Sequence, residues 1–241
     1  MLEGRAITKS YEGRLVLDRI DITIYPSKIT ALMGPSGAGK TTLLRALSLV
    51  EPPDSGAVSI NDIVYKYPLT QEVVPHPWPM VTVVFQDLFL WPHVTNGENI
   101  LLGCRKRFGS KANKKVSQLA DQLGFTGLLD RFPNQISRGQ RQLIAIARAL
   151  ALEPAYLLLD EVSASLDLAK VSRVTDVLRD RARQGTGILS ITHQIGFARH
   201  SADRFVYLDG GQIREDGDVT QIDSPKSSEF AAYLELVRRT L

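Results

Sequence analysis

Residues 29 to 50, ITALMGPSGAGKTTLLRALSLV, constrain this chain more than any other stretch, because they prescribe a strand, a glycine-rich loop and a helix in immediate succession. Gly34, Gly39, Lys40 and Thr41 fit the spacing G-x-x-x-x-G-K-[ST], with Pro35, Ser36, Gly37 and Ala38 at the variable positions and Thr42 next in line. Small residues let consecutive backbone N–H groups turn inward and form a nest for an anion. A helix beginning at Lys40 adds the positive end of its dipole. Lys40 supplies a mobile charge for the β- and γ-phosphates, and the Thr41 hydroxyl is a ligand for Mg²⁺. A glycine-rich turn fitting by chance would lack the apolar strand before it and the amphipathic helix after it. The stretch therefore predicts a nucleoside triphosphate site in an α/β fold.

The rest of the chain supplies the sheet that such a loop needs. From Leu2 to Tyr25 apolar residues alternate in short bursts between the turn signals Glu12-Gly13 and Pro26-Ser27, which predicts an antiparallel β lead-in. Pro52 and Pro53 stop the loop's helix, and AVSI and DIVY predict a hairpin about Asn61-Asp62. After a segment with Pro75, Pro77 and Pro79 comes VTVVF, Val81 to Phe85, an apolar run suited to a strand buried on both faces. Between Gln86 and Glu153 the period becomes helical, with Val116, Leu119, Ala120 and Leu123 on one face and Leu143, Ile144, Ala147 and Leu150 on another. Strands then alternate with helices: Tyr156 to Glu161, a helix near Lys170 to Arg183, GILSIT, a short helix, RFVYLD and QIRE. That alternation implies a mainly parallel sheet. A tail with Phe230, Tyr233, Leu234 and Val237 at helical spacing follows from Ser227 to Arg239.

At 241 residues the chain is long enough for a substantial core, and 23% charged with 44% hydrophobic residues is an ordinary balance for a globular protein. A net charge of +3 is too mild to argue for nucleic acid. The lone cysteine, Cys104, cannot close an internal disulfide, and no secretory leader is visible, which points to the cytoplasm. No apolar run reaches the roughly 18 to 20 residues that span a bilayer, so any membrane role is expected to be peripheral.

A second acidic site follows the strand Leu157-Leu158-Leu159, where Asp160 and Glu161 end a fully apolar run. Ligands lie at such strand ends in open α/β sheets, and desolvated carboxylates there need a cation. Asp160 is placed to hold Mg²⁺, and Glu161 to orient or deprotonate a water for in-line attack on the γ-phosphate.

The phosphate loop, LLLDE, Ile136-Ser137-Arg138-Gly139-Gln140 before a helix, Gln86 after a buried strand and His193 after GILSIT together resemble an ATP-binding cassette ATPase, over essentially the whole chain. The resemblance implies a P-loop NTPase core with an antiparallel β subdomain and a helical subdomain. It implies one domain over 1–241, with lead-in and RecA-like core at about 1–86 and 154–225, helical subdomain at about 87–153 and a C-terminal helix at about 227–239. It also implies a head-to-tail homodimer with two ATP at the interface, in which Ser137, Arg138, Gly139 and Gln140 meet the γ-phosphate held by the other subunit. Gln86 would link Mg²⁺ and water to a membrane partner, Asp167 would lie in a dimer-contacting loop, and His193 would be the switch on the γ-phosphate. Tyr11 would stack on adenine. His76, His93 and His200 are expected as surface residues. Trp78 and Trp91 suit either loop packing or a groove for a partner helix.

Locally, FQDLFLWPHVTNGENI and THQIGFARHSADRFVYLDGGQIREDGD resemble the ATPases of bacterial polar amino-acid importers. That implies permease subunits in the membrane, an extracytoplasmic solute-binding protein reached through them, and a place on the inner face of the cell membrane. The family usually has Leu-Ser-Gly-Gly-Gln before the long helix and Pro after the glutamate; here Arg138 replaces the first glycine and Val162 stands in the Pro position. Alternatives are a regulatory cassette without a permease, which usually carries a coiled coil or second cassette, and a weakly hydrolytic subunit disabled by Arg138.

Overall fold

The computed structural model describes residues 1–69 and 76–239, so Pro75 lies outside the described residues. Strands β1 (Leu2–Tyr11) and β2 (Arg14–Ile24) pair antiparallel about the Glu12-Gly13 turn, and β3 (Ile29–Met33) runs straight into the glycine-rich loop and α1 (Lys40–Ser48). The hairpin β4 (Ser55–Ile60) and β5 (Ile63–Tyr67) completes a four-stranded antiparallel sheet of order β2-β1-β4-β5.

The second sheet has six strands in the order β10-β9-β3-β8-β7-β6. It consists of β3 with β6 (Val81–Val84), β7 (Tyr156–Asp160), β8 (Gly187–Ile191) and β9 (Arg204–Asp209), all parallel, and β10 (Gln212–Asp218), antiparallel to β9 across the Gly210-Gly211 turn. Helices α2 (Asn96–Phe108), α3 (Ala112–Leu123) and α4 (Arg138–Leu150) lie in sequence between β6 and β7. After β7 come α5 (Leu168–Arg183) and α6 (Ile195–Ser201), and the last helix is α7 (Ser228–Arg239).

The parallel strands are apolar on both faces because each face meets a separate core. In β7, Leu157 and Leu159 join a cluster with Leu143, Ile146, Leu178 and Phe230 of the helices. Leu158 points the other way, with Leu189 and Val206, into a cluster holding Leu44 and Leu47 of α1 and Ile7, Leu17 and Ile22 of the antiparallel sheet. Alternation with period two thus places α1 between the sheets. Each fully buried leucine contributes about 1.5–3 kcal/mol to keeping it there.

Two expectations shift. The run Val81 to Phe85 forms the edge strand of the sheet over Val81–Val84, with β7 as the only strand neighbour of β6, and Val83 within it and Phe85 just after it are only half-buried. Helix α5 begins at Leu168, two residues before the expected start, because the Asp167 side chain accepts from the Lys170 N–H at 2.9 Å and caps it.

Candidate functional site

Sheet order decides which residues meet. Strands β3, β8, β7 and β6 are successive neighbours and parallel, so the segments leaving their carboxyl ends emerge side by side. Those segments carry the glycine-rich loop, His193, Asp160 with Glu161, and Gln86.

The loop begins at Gly34, whose φ of +152 and whose position against Leu208 exclude a side chain: a Cβ there would stand 2.0 Å from the Leu208 carbonyl oxygen. From the first turn of α1 the Lys40 ammonium folds back to donate to the carbonyl oxygens of Gly34 at 2.8 Å and Pro35 at 2.7 Å. Burial holds the Lys40 pKa below the usual lysine range, and the charges of Glu161 and Asp160 oppose that shift.

Thr41 Oγ1 donates to Asp160 Oδ2 at 2.9 Å. Asp160 is 3% exposed, and burial raises its pKa, with the Glu161 charge adding to the rise while the Thr41 hydrogen bond, Lys40 and Arg45 counter it. A hydroxyl, a buried carboxylate and the exposed Gln86 amide form a hard oxygen donor set at the end of the loop, which fits Mg²⁺.

Glu161 leaves β7 with a left-handed φ of +52, its N–H held by the Ile191 carbonyl at 3.1 Å. A non-glycine residue in that region stores about 1–3 kcal/mol and persists only where neighbours enforce it. Here the turn aims the carboxylate across the strand ends: Oε1 lies 2.7 Å from His193 Nε2, and Oε2 accepts from Gln86 Nε2 at 3.4 Å. Val162, buried behind it, fills the position of the family's proline.

Tyr11 stands at the end of β1 with its hydroxyl reaching Glu51 and Thr42, so it borders the loop; burial and the Glu51 contact raise its pKa. The Lys9 ammonium lies 5.5 Å from its ring centroid. Ser137 to Gln140 make a separate cluster at the head of α4. Ser137 Oγ accepts from the Gln140 N–H at 3.2 Å and Gln140 Oε1 from the Ser137 N–H at 2.9 Å, a reciprocal cap. Gly139 packs against the loop before Asp167, where a Cβ would meet the Ser165 oxygen at 2.7 Å, while Arg138 is exposed.

His76, His93 and His200 are exposed. Trp78 and Trp91, also exposed, border a groove of about 260 Å³ with Phe85, Ala145 and Arg148. Two side chains that contact the site or the loop beside it escaped the sequence reading. Arg148 donates to the carbonyls of Phe89 at 2.8 Å and Leu88 at 2.7 Å and lies over the Trp91 ring, so it shapes the loop that follows Gln86. Tyr233, read only as one apolar-face residue of a tail helix, brings its hydroxyl to 3.4 Å from His193 Nδ1. Neither has a local motif, and a long-range contact made by one side chain leaves no periodic signal.

A phosphate-cradling loop with a threonine–aspartate pair, and a glutamate braced by histidine and glutamine, define the site of a nucleoside triphosphatase. The comparisons narrow the class. Residues 17–164 match the family model of the ABC transporter. The chain is 36% identical over 247 residues to the L-cystine import ATP-binding protein TcyC of Bacillus subtilis (strain 168), covering 100% of both chains. It is 34% identical over 241 residues to the glutamine transport ATP-binding protein GlnQ of Escherichia coli (strain K12), covering 98% of this chain and 100% of that one. Its fold matches the ATP-binding cassette MJ0796, solved as a dimer in a post-hydrolysis state bound to ADP and Pi, with TM-score 0.81 and 26% identity over 91% of this chain and 99% of that one. The chain belongs to the ABC transporter family, as its ATP-binding and ATP-hydrolysing subunit.

Proposed function

We propose that this subunit powers the import of a polar amino acid, as a homodimer bound to membrane permease subunits. The observation that carries the catalytic part is the convergence of the glycine-rich loop, the Thr41–Asp160 pair and the Glu161–His193–Gln86 contacts at adjacent strand ends. Support for the solute class comes from the relatives, which are named for cystine and glutamine transport, and from the importer-like stretches about Gln86 and His193.

Gly34 to Thr42 cradle the triphosphate through backbone N–H groups, the α1 dipole and Lys40, while Tyr11 stacks on the base. Thr41, Asp160 and Gln86 would hold Mg²⁺, which when bound would neutralise charge on the triphosphate. Glu161 polarises the attacking water, and His193 exchanges its bond to Glu161 for one to the γ-phosphate. The protomers pair head to tail, each presenting Ser137, Arg138, Gly139 and Gln140 to the partner's nucleotide. Leu168, 89% exposed beside Asp167, is an apolar side chain suited to burial in that interface.

The groove between Trp78 and Trp91 receives a permease helix, with Gln86 relaying occupancy of the nucleotide site to it. Among the described residues no helix is long and apolar enough to cross a membrane, which fits a protein held by permease contacts on the cytoplasmic face. A solute-binding protein outside the cell acts only through the permease, and the function calls for no nucleic acid.

Glu161→Gln tests this reading, since it keeps the side-chain shape and removes the basic oxygen. With ATP and Mg²⁺ the variant is expected to accumulate as a dimer by light scattering and to release phosphate at a small fraction of the natural rate. Normal hydrolysis, or a monomer under those conditions, refutes it.

A further inference from the structure

We infer that Tyr233 is a positioning residue for hydrolysis, its hydroxyl fixing the orientation and tautomer of His193 so that Nε2 carries the ring proton toward Glu161. The inference rests on the site roles proposed above and adds to them a group from the last helix of the chain.

Three polar groups meet in succession. Tyr233 Oη lies 3.4 Å from His193 Nδ1, and His193 Nε2 lies 2.7 Å from Glu161 Oε1. Glu161 can only accept when ionised, so Nε2 must donate; a ring bearing its single proton on Nε2 has an acceptor at Nδ1, and the tyrosine hydroxyl supplies the donor. The hydroxyl has one hydrogen to give. Given to His193, that hydrogen fixes the proton directions along one line of contacts, from Tyr233 through His193 to Glu161.

Packing alone would not call for this hydroxyl. The Tyr233 residue is 7% exposed, and its ring sits 5.3 Å from the Tyr207 centroid and 6.4 Å from that of Phe230, contacts that a phenylalanine would make equally well. A buried hydroxyl without partners is costly, and here its partner is the histidine. Burial, the largest influence on its ionisation, keeps the phenol protonated and therefore able to donate.

The consequence is mechanical. With Nε2–H already formed, His193 can pass that hydrogen bond from Glu161 to an arriving phosphate oxygen without moving a proton, and Glu161 is released toward water at the same moment. Helix α7 therefore holds the switch, since the hydroxyl it carries meets the His193 ring on the side away from Glu161.

The test is Tyr233→Phe, followed by ATP turnover and by ¹⁵N spectra of the His193 ring in the nucleotide-free protein, assigned through His193→Ala. The natural protein is expected to show the Nε2–H pattern. The variant is expected to show a mixture of tautomers and to lose about three- to tenfold in kcat, the range for one neutral hydrogen bond, with KM for ATP changed by less than about twofold. Purely structural tyrosine would leave the ring nitrogens unmoved, and that result overturns the inference. If His193→Ala hydrolyses ATP at the natural rate, the histidine's role itself falls; if His193→Ala is inactive while Tyr233→Phe matches the natural protein in both readouts, only the inference falls.

Discussion

Thr41 Oγ1 donates to Asp160 Oδ2 at 2.9 Å, joining residues 119 positions apart and tying the first turn of α1 to the end of β7. A cation ligated by both oxygens would take over this hydrogen bond's work, since each then offers a lone pair to the metal. Asp160→Asn leaves the hydrogen bond feasible and removes the charge. The expected outcome is that Mg²⁺ no longer adds to the stabilisation that ATP gives, measured as the difference in melting temperature with and without Mg²⁺ at fixed ATP. An undiminished Mg²⁺ increment would place the metal elsewhere.

Lys40 is the complementary case, a buried ammonium whose partners are two carbonyls of its own loop. Phosphate oxygens are stronger acceptors than those carbonyls, so the charge is ready to transfer to a ligand. A ligand at a hundred times its Kd stabilises by about 2.7 kcal/mol, and Lys40→Ala is expected to lose most of that gain. Scanning fluorimetry across an ATP titration checks it; an unchanged ATP-induced shift would remove the loop from the binding site.

The loop, the acidic strand end and the alternation of elements were legible because each is a local pattern: fixed glycine spacing, an apolar run closed by two acids, and a period that switches from two to 3.6. What the sequence could not specify is the order of strands. Placing β8 between β3 and β7 is what brings His193 to Glu161, and that is a property of the whole sheet. The edge position of β6 escaped for the same reason, because Val81 to Val84 has the composition of a central strand. Arg148 and Tyr233 reach their partners through long-range side-chain contacts, from α4 to residues 88 and 89 and from α7 to residue 193, without spacing to announce them.

Helix α7 can work as a platform for Tyr233 only if its start is anchored, and Glu215 does this. Its carboxylate accepts from the N–H of Lys226 at 3.0 Å, and from the N–H and hydroxyl of Ser227 at 2.8 and 2.9 Å. Burial pushes its pKa up, but these donors outweigh it and hold the group below its ordinary value of 4.5. A depressed folded pKa means that the contribution is complete above the unfolded value of 4.5 and is lost as pH falls through the folded one. Glu215→Gln is therefore expected to cost about 1–2 kcal/mol at neutral pH, with the gap to the natural protein closing as pH drops below that window. Urea unfolding at a series of pH values measures it, and a gap that stays constant into acid would show that the carboxylate's charge is irrelevant.

The last prediction separates the two middle residues of Ser137-Arg138-Gly139-Gln140. Gly139 is buried against the chain's own Ser165 carbonyl, where an added Cβ would come to 2.7 Å and force backbone to move. Arg138 is exposed in the first turn of α4, in ordinary helical backbone, and the reciprocal cap between Ser137 and Gln140 closes around it undisturbed. Within this chain, then, glycine is demanded at one position and not at the other. In the proposed head-to-tail dimer arginine at 138 would add bulk beside the partner's nucleotide and also a guanidinium able to pair with phosphate oxygens, and these effects oppose each other. Arg138→Gly is accordingly expected to change ATP turnover by less than about tenfold, under about 1.4 kcal/mol in the barrier, whereas Gly139→Ala is expected to lower both melting temperature and turnover. Steady-state phosphate release from the natural protein and the two variants decides. Negligible hydrolysis by the natural protein with a large gain on Arg138→Gly would mean that the guanidinium blocks closure of the dimer and that this chain serves as a weakly hydrolytic half-site.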